Sequence, residues 1–130
     1  GNFFMVIDIL EHYEPETLRF FILSTHYRSP LDFSDERLAE AQRSLSRLKT
    51  AQENLQALMA LMNAGPTEES LKLRRKVLEL RNEFMEAMRD DFNTALAISH
   101  MFALKCVLVV EDGNQLKVLL KLKVAVWKNH

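Results

Sequence analysis

The strongest constraint in this sequence is an apolar seam that repeats at alternating steps of three and four residues. Leu38, Ala41, Leu45, Leu48, Gln52, Leu55, Met59 and Met62 carry it, a spacing that turns one stripe of a long α-helix toward a partner. Gln52 is the polar exception. A second run, Leu73, Val77, Leu80, Phe84 and Ala87, forms the answering stripe. In a chain of 130 residues the two stripes predict an antiparallel helical bundle rather than a free coiled coil. With 3 Gly and 3 Pro, the chain has too few turn residues for a β-sandwich. The fold class is all-α.

Shorter elements flank the seam. Val6, Ile9, Leu10 and Tyr13 fall on one face of a helix starting near Met5. Pro15 suits the first position of the next helix, where its missing N–H costs nothing. Leu18, Phe21, Ile22 and Thr25 give that helix one buried side. Ser34 is a plausible N-cap for the seam helix, with Asp35 and Glu36 at the positive end of its dipole. Residues 63–67 end the seam helix, and Thr67 caps the following one. Residues 88–94 break the second bundle helix, with Asn93 or Thr94 capping a third stripe of Ile98, Met101, Phe102 and Val109. Glu111-Asp112-Gly113-Asn114 signals a turn. Leu116, Leu119, Leu120, Val124 and Trp127 fit a helix, while residues 120–124 alternate like a strand able to close a hairpin with 107–110. Helix is the favoured reading, because a lone hairpin on a helical bundle has little to pair with.

The net charge of −1 conceals segregation. Residues 1–36 carry −5, 37–76 carry +4, 77–112 carry −4 and 113–130 carry +4. The total excludes a strongly basic nucleic-acid arm but not a basic face. Arg37, Arg43, Arg47 and Lys49 lie on one helix, and Lys72, Arg74, Arg75 and Lys76 on the next. Arg43 and Arg47 are four apart and off the seam, so they share an exposed face. Such a face is either simply solvated or a contact for phosphate, which guanidinium groups bind in pairs with release of counterions.

No constellation for catalysis emerges. His26-Tyr27-Arg28 sets a titratable ring, an aromatic and a cation in a loop between helices, where binding residues often sit. Arg28 could equally pair with Asp32 and hold the loop. Asp90-Asp91 reads as a helix-terminating cap rather than a carboxylate pair. Cys106 reads as a small core residue, since a nucleophile needs a partnered base. One Cys and four scattered His supply no metal set, and a reducing compartment follows. Met59/Met62 and Met85/Met88 read as core filling. Gly1, Gly65 and Gly113 are too dispersed for a phosphate loop. The apolar runs fall short of a membrane span, and no cationic leader opens the chain.

Several stretches together resemble one family. They are Gly1-Asn2-Phe3-Phe4, Asp8-Ile9-Leu10, Pro15 to Phe21, Ser24 to Ser34, and Asp90-Asp91-Phe92-Asn93-Thr94, in that order. This series is similar to the part of bacterial cysteinyl-tRNA synthetases, class I enzymes, that follows the catalytic domain. In that family Gly-Asn-Phe follows the K-M-S-K-S loop, which makes Gly1 and Asn2 the flank of the ATP-site signature loop. Glu16-Thr17-Leu18-Arg19-Phe20 corresponds to the D-A-L-R-like element. The likeness is strong over residues 1–36, good over 90–104 and fades after Lys105.

The resemblance implies a whole enzyme that activates cysteine with ATP and transfers it to tRNA. The ATP and magnesium site and the zinc ion belong upstream of Gly1, so this segment has no catalytic residue and no cofactor of its own. Residues 1–34 correspond to a stem-contact segment and residues 35–130 to a DALR-like helical bundle with a truncated C-terminal end. The implied partners are tRNA and the catalytic domain of the same protein, in a cytoplasmic monomer. His26, Tyr27, Arg28, Arg43, Arg47, Lys72 and Arg75 become the tRNA-contact candidates. Departures from the family pattern are Met5 for a capping residue, Glu14 for Asp before Pro15, and Ala95 where relatives carry Pro. The competing readings are a bundle whose seam pairs between chains, and the same region of a ligase that joins cysteine to an amino sugar.

Overall fold

The computed structural model describes residues 5–60 and 68–108, and every regular element among them is an α-helix. They are α1 (Val6–Leu10), α2 (Pro15–Leu23), α3 (Asp35–Ala60), α4 (Glu68–Arg89) and α5 (Thr94–Leu108). The expected all-α fold is what forms.

Local chemistry sets the helix starts. Pro15 opens α2. Ser34 caps α3: its Oγ accepts the Arg37 N–H at 3.3 Å, while its carbonyl accepts from Leu38 at 3.0 Å. Asp35 and Glu36 occupy the first turn, beside the helix's exposed N–H groups. Asn93 caps α5 through Oδ1, which accepts the Leu96 N–H at 3.1 Å.

The first core lies where α1 and α2 meet the start of α3. Ile9, Phe21, Leu38 and Ala41 are buried together, with Tyr13, Leu18, Phe20 and Phe33 packed around them. Leu38 is 1% exposed. The Phe21 and Phe33 rings meet edge to face with centroids 5.4 Å apart, a favoured aromatic geometry. Tyr13 donates its hydroxyl to the Asp35 carbonyl at 3.4 Å, tying the α1–α2 turn to α3. Lys49 of α3 forms an ion pair with Glu16 of α2.

The seam is thus consumed inside the chain at its N-terminal end. Leu45, Leu48 and Leu55 are half-buried and Gln52 is exposed. The neighbours of the helices differ from expectation. Among the described residues α4 packs chiefly on α5 and α3 on α2, with a briefer α3–α5 contact. Leu80 and Ala87 of α4 are buried with Ala97 of α5 in the second packed region. Small Ala87 and Ala97 allow close approach beside the turn, and Glu83 reaches across to His100 at 3.1 Å. The stripe expected to face α3 therefore serves the α4–α5 hairpin. The four residues between α4 and α5 are enough only to turn the chain straight back, which sets α5 against α4.

Other expectations need correction. Val6 and Leu10 are exposed and only Ile9 of α1 is buried, because a five-residue helix presents one narrow face. Ile22 is exposed, and Phe20 packs on the core instead. Met101 is exposed while Ala97, outside the expected stripe, is buried. Cys106 is exposed rather than a core residue. Met85 is exposed and Met88 half-buried, so only the latter contributes to filling. Gly1, Asn2, Met62, the turn at 63–67, Val109, the turn at 111–114 and most of the helix-or-hairpin segment 107–127 lie outside the described residues, as does the Met59 side chain.

Candidate nucleic-acid interface

The loop after α2 and the turn after α4 come together although they are far apart in sequence. Ser24 closes α2 by donating its hydroxyl to the Phe20 carbonyl at 2.7 Å. The chain then turns through His26, Tyr27 and Arg28. The His26 and Tyr27 rings stack at 4.9 Å between centroids, and the Arg28 guanidinium lies 5.5 Å from the Tyr27 ring centre. The backbone N–H of Arg28 donates to His26 Nδ1 at 3.3 Å, so the neutral ring carries its proton on Nε2.

Asp91 receives this cluster. Tyr27 donates its hydroxyl to Asp91 Oδ1 at 2.7 Å, and Arg28 Nη2 donates to the same oxygen at 3.2 Å. Arg28 Nε lies 2.9 Å from Asp91 Oδ2 and 2.9 Å from the Tyr27 hydroxyl oxygen. The Nε–Nη2 edge of the guanidinium thus serves both oxygens of one carboxylate, a paired geometry stronger than a single neutral bond. The Arg28–Asp32 pairing that the sequence allowed does not form. Asp32 pairs with Arg37 at 3.3 Å. Asp90 and Asp91 do terminate a helix, since α4 ends at Arg89 and the turn follows, while Asn93 caps the start of α5.

The α4–α5 turn is unusual in its backbone. Asp91 and Phe92 both have φ of 52°, in the left-handed region that costs a non-glycine residue about 1–2 kcal/mol. Phe92 is 66% exposed. The Asn93 N–H bonds to the Ala87 carbonyl at 3.0 Å and the Asp90 carbonyl at 3.1 Å, which holds the turn closed. Sequence reasoning singled out this segment as a helix break. It missed Asp91 as the partner of Tyr27 and Arg28, and no local signal reveals a contact across 63 and 64 residues.

The basic candidates divide into two sets. Arg43 and Arg47 are exposed on α3 and have no ion pair among the described residues. On α4, Arg75 is exposed and Lys72 lies 3.4 Å from Glu68. Lys76 is similarly matched by Glu79 at 3.2 Å. The α3 face therefore presents the less compensated positive charge. Close to its N-terminal end a shallow depression is lined by Glu36, Arg37, Ala39, Glu40 and Arg43. Its mixture of carboxylates and guanidiniums suits a polyanion only toward Arg43. Among the described residues no three His, Cys, Asp or Glu side chains cluster to hold a metal, and no helix is long and apolar enough to cross a membrane.

Comparison with known proteins gives two family matches. Residues 1–43 match the class I tRNA synthetase (C) catalytic domain, a match that runs on into α3 as far as Arg43. Residues 83–125 match the DALR domain, covering the end of α4, the Asp91 turn and α5. The stretch Glu16–Phe20, expected to be the D-A-L-R-like element, falls in the first match instead. The chain is 48% identical over 106 residues to the cysteine–tRNA ligase of Desulfitobacterium hafniense, covering 80% of this chain and 22% of that protein. It is 48% identical over 116 residues to the cysteine–tRNA ligase of Syntrophotalea carbinolica, covering 87% and 23%. With that of Pelotomaculum thermopropionicum it shares 50% over 105 residues, covering 80% and 21%. The chain thus spans about a fifth of the length of the curated relatives it matches.

Proposed function

We propose that this chain, which belongs to the bacterial cysteine–tRNA ligase family as a segment of it, is the tRNA-contacting helical region joining the catalytic side to the DALR end. The observation that carries the reading is the exposed Arg43 and Arg47 face of α3. It straddles the end of the first family match, with Arg43 as the last residue of that match and Arg47 between it and the second. Arg43 and Arg47, with no ion pair among the described residues, are available to displace counterions from a phosphate backbone.

In the whole protein the activity is ATP-dependent attachment of cysteine to its tRNA, in the cytoplasm and as a monomer. ATP, magnesium and zinc belong to residues outside this chain. The role of this segment is to bind and orient the RNA.

Pairing of the seam between chains is the weaker reading, because Leu38 and Ala41 are already buried by α1 and α2. The test is titration of tRNA with the chain at low and moderate salt. Binding that weakens as salt rises supports the proposal, whereas no binding at low salt, or binding indifferent to salt, overturns it. Charging of tRNA against an amino sugar by the full-length protein separates the two ligase classes.

A further inference from the structure

We propose that Asp91 is a positioning residue, which fastens the α4–α5 hairpin to the loop carrying Tyr27 and Arg28 and so fixes the orientation in which bound tRNA is presented for cysteine transfer. The inference rests on the tRNA-contact reading above and deepens it. Tyr27 and Arg28 lie in the part that matches the catalytic domain, and Asp91 in the part that matches the DALR domain. Among the described residues, the side-chain hydrogen bonds and ion pairs joining residues 5–43 to residues 83–108 all end on this one carboxylate. The helices of the two parts touch only briefly, α3 against α5. A single carboxylate receiving a phenol and two N–H groups along one edge of a guanidinium resists sliding and twisting where packing is thin.

The backbone supports the same conclusion. Asp91 and Phe92 hold left-handed φ without being glycine, and strain of this kind persists where surrounding contacts over-determine it. Arg28 is committed to Asp91 and is thereby withdrawn from the pool of cations free to meet phosphate. Its place in the loop is explained by orientation of the two parts, not by direct RNA contact.

The test uses the full-length ligase bearing this segment, with Asp91→Asn and Tyr27→Phe made singly and together. Asn tolerates left-handed φ and Phe removes only a hydroxyl, so both substitutions spare the backbone. The readouts are the KM for tRNA in aminoacylation and the rate of cysteine-dependent ATP–pyrophosphate exchange, which needs no tRNA. The expected result is a KM for tRNA raised roughly three- to tenfold in each single variant, with the double variant no worse than the worse single one. The exchange rate should change several times less. Parallel loss of exchange and aminoacylation, or an unchanged KM, overturns the proposal. Arg43→Glu with Arg47→Glu separates the two claims. If that pair weakens tRNA binding while the Asp91 and Tyr27 variants leave KM alone, only the positioning role fails. If it too leaves binding unchanged at low salt, the tRNA-contact reading itself fails.

Discussion

The Tyr27 hydroxyl and the Asp91 carboxylate meet at 2.7 Å across 64 residues of chain. This bond, with the Arg28 pair beside it, closes a long loop containing α3 and all of α4. Its groups are substantially exposed, so water competes for each of them and the contribution to stability is modest. A double-mutant cycle on Tyr27→Phe and Asp91→Asn should give a coupling of about 0.5 kcal/mol in urea unfolding. Strict additivity would mean that the bond is not formed in solution.

Phe92 offers the opposite case, a residue whose replacement should stabilise. Its φ of 52° and 66% exposure mean that the ring gives little burial in return for backbone strain. Glycine removes about 1–2 kcal/mol of that strain and adds about 0.5–1 kcal/mol of unfolded-chain entropy. Phe92→Gly should therefore raise unfolding stability by about 0.5–1 kcal/mol. A loss of stability would show that the exposed ring makes a contact worth more than the strain.

Leu38 tests where the core lies. It is 1% exposed, at the junction of α1, α2 and α3, and Leu38→Ala leaves a cavity that neighbours fill only in part. The expected cost is about 3 kcal/mol. Leu71→Ala on α4, at an exposed position, should change stability by less than about 0.5 kcal/mol. Equal effects would contradict the placement of the core.

These sites also show what a sequence can disclose. Ser34, Asn93 and Pro15 were readable because a cap or a proline acts within one turn of its own helix. The seam was readable as a helix face, but not its partner: the stripes of α3, α4 and α5 are all apolar and could each satisfy another. Connection length, with Ala87 and Ala97 beside the turn, decides for α4 against α5. Cys106 misled because α5 is apolar around much of its circumference, so a small residue there need not face inward. The Arg43 and Arg47 face was legible from spacing alone. Asp91 was visible only as part of a helix break, since its partners lie in another element.

The Lys49–Glu16 pair makes a prediction about pH. Hydrogen bonding to Glu16 raises the Lys49 ammonium above its usual 10.5, with nearby carboxylates adding to the effect and desolvation opposing it. A raised lysine pKa means that the folded chain holds the proton more tightly than the unfolded one. Its stabilising contribution is therefore complete below pH 10.5 and is lost as pH rises through the raised value. Lys49→Met should lower the urea midpoint slightly and by the same amount at pH 7 and pH 9, counted as approximate settings of an ordinary titration. The difference between the proteins should shrink once the solution is more alkaline than the usual lysine range. A difference that grows with alkalinity would reverse the assigned sign.

Salt dependence distinguishes the two basic faces. Each phosphate neutralised by a cation contributes roughly −0.7 to −0.9 to the slope of log K against log salt. Arg43 and Arg47 have no ion pair among the described residues, so each can release its full share of counterions. Arg43→Gln with Arg47→Gln should make the slope for tRNA binding shallower by about 1.5. Lys72 must first exchange Glu68, 3.4 Å away, for a phosphate oxygen, and the local charge it offers is partly cancelled before RNA arrives. Lys72→Gln with Arg75→Gln should therefore change the slope by less than the α3 pair does. Measuring both double variants over the same salt range checks the assignment. A larger change from the α4 pair would move the phosphate contact to α4, where release of Lys72 from Glu68 would have to accompany binding.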